Sequence, residues 1–250
     1  MHNDSEGILR SCVVSEKILM ATRVASLLFM TAFHIDCVYF TNGNGAPYNF
    51  IYLTVWTFFL VNIYFAFAVA VMLVPRMATA LHDVMPPFHA TTVTMAVVVM
   101  CLFWFAVYPT KMGPVQLCTV VTHGVQAMLM LIDMVFSRVR FDFKRDTKPV
   151  FVYVLVYVSW SLVWFAFHPD RPIYPILNWR SYAMFGVLPG ALGFILGVLY
   201  GLCRLSKWKE GYLPLGTLDL SLGIAMDGDA PMSSVSPDGT GKPPVLDSTL

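Results

Sequence analysis

Long apolar runs, interrupted by short polar or proline-bearing breaks, recur six times along this chain. They extend over about Ile18 to Phe40, Asn49 to Val74, Phe88 to Tyr108, Val115 to Phe136, Pro149 to His168 and Tyr182 to Cys203. Each has roughly the twenty residues that a helix needs to cross about 30 Å of hydrocarbon. The breaks are Thr41 to Pro47, Pro75-Arg76, Pro86-Pro87, Pro109 to Pro114, Asp142 to Pro149 and Pro169 to Arg180, and Gly, Pro and Asn punctuate helices because they cannot continue one cheaply. The pattern predicts an all-α polytopic membrane protein with six transmembrane helices. It divides into an N-terminal segment over 1–17, a transmembrane domain over 18–205 and a largely disordered tail over 206–250. From about Gly211 the chain turns to Gly, Pro, Ser and Asp, and too little apolar surface remains to offset chain entropy.

Composition agrees: 57% of residues are hydrophobic and only 12% are charged, against about one quarter charged in a soluble domain. The net charge of +1 and the lack of a basic patch interleaved with aromatics exclude a nucleic-acid partner. No small-residue cleavage site follows an early apolar core, so the first run reads as a retained anchor. Orientation follows from the cations. Arg10, Lys17, Arg76, Arg138, Arg140, Lys144, Arg145, Lys148, Arg204, Lys207 and Lys209 fall on the side shared by both termini, and only Lys111, Arg171 and Arg180 on the other. That bias makes both termini cytoplasmic, in the plasma membrane or the endoplasmic reticulum, and it puts the Asn3-Asp4-Ser5 glycosylation sequon on the side where it goes unused. Cysteines 12, 37, 101, 118 and 203 have no C-x-x-C spacing and read as small apolar fillers, not as a metal site or a disulfide framework. Gly193, Gly197 and Gly201 form a small-residue stripe that lets helix backbones approach closely in lipid, and Pro189-Gly190 is expected to kink the same span.

Polar groups inside the spans carry the candidate chemistry. On the fourth span Thr119, His123, Gln126, Met130 and Asp133 share an arc of about 80°, and on the fifth Tyr157, Ser161, Trp164 and His168 form a similar stripe. Such stripes must face protein or water, so the two helices are expected to line one polar cavity. The second and fourth spans enter from the non-cytoplasmic side, which puts Thr54 about 7 Å and His123 about 13 Å below that surface. His34 and His168 fall in the same half. A threonine hydroxyl beside a neutral imidazole is the apparatus of nucleophilic acyl transfer, because the imidazole takes the proton that makes the hydroxyl a poor nucleophile. A third group usually orients the base. His34 and Asp36 are both candidates, about 200° apart on the first span, so at most one faces inward.

Each residue also has a plainer reading. Thr54 could bond the carbonyl one turn back, and His123 could make an interhelical hydrogen bond. Asp133 could pair with Arg138, the stripe of the fifth span could be packing, and Arg23 could snorkel to the inner interface. Haem ligation by two histidines is set aside, because a sixth ligand and an inner-side pair are hard to supply.

Three stretches resemble a known family. Phe50-Ile51-Tyr52-Leu53-Thr54-Val55-Trp56 is similar to the second-span motif of the rolling stone membrane proteins. His123-Gly124-Val125-Gln126-Ala127-Met128-Leu129-Met130-Leu131-Ile132-Asp133 resembles that family's histidine-bearing span, and Ile173-Tyr174-Pro175-Ile176-Leu177-Asn178-Trp179 resembles its late Tyr-Pro loop. The likeness covers roughly residues 18 to 205. Rolling stone proteins in turn resemble the androgen-induced membrane hydrolases, six-span proteins with cytoplasmic termini that cleave esters of hydroxy fatty acids with one threonine and one histidine. The resemblance implies that Thr54 is the nucleophile, His123 the base and a lipid ester the substrate, with no metal or organic cofactor; Tyr174 or backbone amides of its loop are candidates for the oxyanion. The alternative implied by the rolling stone branch is a non-enzymatic membrane organiser or cell-fusion factor. Besides membrane lipids, the ending Asp247-Ser248-Thr249-Leu250 suggests a PDZ-domain partner captured by strand addition.

Overall fold

The computed structural model describes residues 11, 13–37, 50–110, 115–174 and 178–212. Among them the chain is all helical, and six helices are long and apolar enough to cross a membrane. The first span is Glu16–Ile35, begun by Ser15, whose side chain accepts the Ile18 N–H. The second is Leu53–Leu73, stopped by Pro75, which opens a short helix Pro75–Ala80. The third runs over Met85–Leu102 and continues as a π-helical turn Phe103–Val107, while the fourth is a short helix Leu117–Val120, a π-helical turn Val121–Val125 and a helix Gln126–Phe136. The fifth is Phe143–Phe167 and the sixth Met184–Tyr212. The third span is the centre of the bundle: 56% of its apolar window is buried, against 17% for the fifth and the sixth. Its Thr91, Thr92 and Thr94 hydroxyls each donate to a carbonyl one turn back, which satisfies them without leaving the helix.

Two boundaries differ from the sequence reading. The fifth helix begins before Pro149 because Asp142 caps it, accepting the Arg145 N–H at 2.9 Å. That backbone N–H also holds the Asp142 carboxyl below the usual carboxylate range. The sixth helix continues through residues 206–212, which the sequence assigned to the tail. It is held there by the end of the fourth span and the loop that follows it. Phe141 N–H donates to Ser206 Oγ at 3.0 Å, and the buried Lys209 ammonium donates to the carbonyls of Met134 (2.7 Å) and Ser137 (2.5 Å). A cation on the last carbonyls of a helix satisfies orphan acceptors and complements the helix dipole. The remainder of the tail with its PDZ-type ending, the Asn3 sequon and the Thr41 to Pro47 break lie outside the described residues.

Further expectations change. Cys37 and Cys118 form a disulfide, with Cα atoms 5.5 Å apart, while Cys101 and Cys203 are free. The bond joins the outer ends of the first and fourth spans, which no local spacing reveals. Disulfides belong to oxidising compartments, so the bond agrees with the side that the cation count makes non-cytoplasmic. Arg23 does not snorkel: it is fully buried and bonds Asp133 at 2.7 and 3.2 Å. Asp133 therefore pairs with Arg23 and not with Arg138, whose Nε donates to the Ser11 carbonyl at 2.8 Å. The Tyr64 hydroxyl donates to the same carboxylate, and His89 Nε2 lies 3.5 Å from it. Gly193, Gly197 and Gly201 are exposed, with nothing within 4 Å of where a Cβ would stand. The opposite face, with Ile195, Leu199 and Leu202, fills the bundle instead.

Candidate active site

Thr54 and His123 meet. Thr54 Oγ1 lies 3.2 Å from His123 Nε2, and both residues are half-buried, so the pair is within reach of a molecule outside the bundle. Thr54 stands in the first turn of its helix, where backbone N–H groups lack intrahelical acceptors and the helix dipole favours negative charge. Residue Tyr52, at the N-cap, makes no side-chain cap bond. The fifth span supplies the missing group: the Tyr157 hydroxyl accepts the Leu53 N–H at 3.1 Å and donates to the Ile51 carbonyl at 3.2 Å. Trp56 Nε1 donates to the Phe50 carbonyl at 2.7 Å, pinning the approach to the helix.

His123 is held on one ring face, at its backbone carbonyl and at both ring nitrogens. It belongs to the π-helical turn of the fourth span, and such turns are frequent at functional sites. Its ring stacks on Phe103 at 3.6 Å between centroids, where the third span makes its own π-helical turn. Trp104 Nε1 donates to the His123 carbonyl at 3.1 Å. Nδ1 lies 3.0 Å from the Thr119 carbonyl and 2.9 Å from Thr122 Oγ1. The Thr122 hydroxyl itself donates to the Cys118 carbonyl at 2.7 Å. A carbonyl only accepts, so the contact with Thr119 requires the proton on Nδ1 and leaves Nε2 with a lone pair aimed at Thr54. A nucleophile, a base and an orienting acceptor are thus in line.

The Thr119 carbonyl and the Thr122 hydroxyl occupy the orienting place for which His34 and Asp36 were the candidates. His34 Nδ1 lies 3.3 Å from Asn62 Nδ2, its ring stacked on Phe58, and Asp36 lies beside the disulfide, 3.8 Å from Cys118 Sγ. His168 stays on its own helix, with Nδ1 3.3 Å from the Trp164 carbonyl. The stripe of the fourth span does not line one cavity. His123 serves the outer site and Asp133 the inner ion pair, while between them Gln126 donates back to the Thr122 carbonyl. Of the fifth-span stripe, Tyr157 reaches the site, whereas Ser161 donates to the Val158 carbonyl on its own helix. Tyr174 does arrive from the late loop. Its ring packs edge-on against Tyr52 at 5.9 Å between centroids, and burial, beside the Thr54 and Tyr157 side chains, holds its phenol up at about 12. Among the described residues, Asp36, Cys37 and Cys118 are grouped closely enough to hold a metal ion, but a disulfide leaves neither sulfur as the thiolate that metal binding needs.

Tyr157 and the Thr119 carbonyl are the parts that sequence reasoning missed. Tyr157 had a signal, a hydroxyl on an intramembrane stripe; a backbone carbonyl at a π-helical turn has none. Tyr157→Phe is expected to slow any reaction at Thr54 about tenfold to a hundredfold by letting the helix start shift. The loss of folding stability should stay at about 0.6 kcal/mol, no more than about 2. Rate measurements beside thermal melts in one detergent check both halves. Comparison with family models, with curated proteins and with solved structures finds no match to this chain.

Proposed function

We propose that this protein is an intramembrane ester hydrolase of the threonine–histidine type, acting on fatty acid esters of hydroxy fatty acids or related lipids. The observation that carries this reading is the aligned set of Thr54 Oγ1, His123 Nε2, His123 Nδ1 and the Thr119 carbonyl. Its resemblance to rolling stone proteins and to the androgen-induced hydrolases supports the same two residues. In the first step Thr54 Oγ1 attacks the ester carbonyl carbon while His123 Nε2 takes its proton. The tetrahedral intermediate collapses, the C–O bond to the alcohol breaks, and Nε2–H protonates the leaving oxygen. Water then cleaves the Thr54 acyl ester with His123 again as base. We assign the oxyanion to the Tyr174 hydroxyl and the backbone N–H groups at the start of the second helix, next to Thr54.

The half-buried position of the pair in the outer half of the bundle suits a lipid that enters sideways from the leaflet, its ester at the depth of Thr54. Purified protein in nanodiscs should release free hydroxy fatty acid from such an ester. Absence of turnover on a panel of lipid esters of varied chain length would remove the reading. A membrane organiser is the second reading, and the outward glycines of the sixth span favour it, because helices in lipid associate along such faces. It requires no turnover, so the same assay separates the two.

A further inference from the structure

We infer that the Cys37–Cys118 disulfide is a redox latch on the Thr54–His123 pair; the inference rests on the esterase reading for what the pair does. Cys118 stands in the first turn of the fourth span Leu117–Phe136, and the π-helical turn Val121–Val125 separates that turn from the regular helix below it. Helix ends open more easily than helix interiors, so this first turn is the part of the span most easily released. Both groups that grip His123 Nδ1 depend on it. The Thr119 carbonyl is the next peptide along, and Thr122 Oγ1 is fixed by its bond to the Cys118 carbonyl. The disulfide ties that turn to the outer end of the first span, where Cys37 is buried. Formed, the bond fixes the turn and aims Nε2 at Thr54. Opened, it releases the turn, Nδ1 loses its fixed partners and the hydroxyl loses its base.

The chemistry is thiol–disulfide exchange with a dithiol as reductant. Cys118 keeps 8% of its surface and Cys37 1%, so the incoming thiolate meets Cys118 Sγ. A mixed disulfide forms there, and Cys37 leaves as a thiolate and takes a proton. The second thiol of the reductant then attacks the mixed disulfide and frees Cys118. The reductant ends as a disulfide and the protein as two thiols. The Asp36 carboxylate, 3.8 Å from Cys118 Sγ, repels the approaching thiolate and slows the opening. The latch is therefore closed by oxidation on the non-cytoplasmic side and opened only by a dithiol that reaches Cys118.

The test uses the full chain in nanodiscs, oxidised or treated with dithiothreitol, with two readouts. Labelling of Thr54 by a fluorophosphonate should slow about tenfold to a hundredfold on reduction. Carbethoxylation of His123 by diethyl pyrocarbonate, read by peptide mass spectrometry, should rise several-fold relative to His168. Reoxidation should restore both, Cys37→Ser should resemble the reduced protein, and Asp36→Asn should be reduced faster. Should Cys37→Ser fail to fold, the dithiol treatment of folded protein carries the test. His123 reactivity unchanged by reduction overturns the latch. An oxidised protein that is never labelled, but whose His123 reactivity follows the redox state, keeps the latch and removes the esterase reading instead.

Discussion

Thr54→Ala and His123→Ala should each lower ester turnover by about a thousandfold or more, and the double variant should be scarcely worse than either. Residues that act as one unit lose their joint contribution when the first is removed, so their effects do not add. The geometry makes the unit explicit, because the single 3.2 Å contact between Oγ1 and Nε2 is broken by either change. Folding should survive: losing one polar partner inside a membrane bundle costs about 0.6 kcal/mol on average and at most about 2. Thr54→Ser is the sensitive control, since it keeps the hydroxyl and drops only a methyl, and it should keep measurable activity. Full turnover by purified Thr54→Ala protein would end the catalytic assignment, and additive losses in the double variant would separate the two residues.

Arg23→Ala or Asp133→Ala should be the most destabilising single changes in the bundle, at about 3–5 kcal/mol each, because either leaves an unpaired charge buried. Arg23 and Asp133 are both fully buried and bonded through two contacts, with the Tyr64 hydroxyl on the same carboxylate. Replacing both with apolar residues of similar volume, Arg23→Met with Asp133→Leu, should recover most of that loss. Thermal unfolding of the four proteins in one detergent checks this cycle. Equal losses in the double and the single variants would show that the ion pair is not what the singles disturb. The ion pair binds the inner half of the bundle, whereas Thr54 and His123 stand in the outer half. Labelling of Thr54 per folded molecule should therefore stay unchanged across the series.

The six spans were legible because apolar length is the strongest signal a membrane chain carries, and Thr54 and His123 could be put in the same half of the bundle by counting 1.5 Å per residue from their entry points. What stayed hidden depended on partners distant in sequence or on the backbone. Asp133 looked nearest to Arg138 along the chain, yet the helix turns it to Arg23 on the first span. Cys37 and Cys118, 81 residues apart, carry no spacing that announces a pair. The orienting group of His123 is a carbonyl exposed to it at a π-helical turn, and residue types do not report such turns. Pro149 looked like a helix break, but the cap at Asp142 starts the helix before it. The glycine stripe was visible, while its outward direction depended on Ile195, Leu199 and Leu202 occupying the inner face.

The most direct test of the Thr54–His123 assignment is the mapping of a fluorophosphonate adduct by peptide mass spectrometry on purified, oxidised protein. One adduct is expected, on the Thr54 side chain, retained in Thr54→Ser and lost in His123→Ala. An adduct on another residue, or a folded protein that takes no label while a positive-control esterase does, would contradict it.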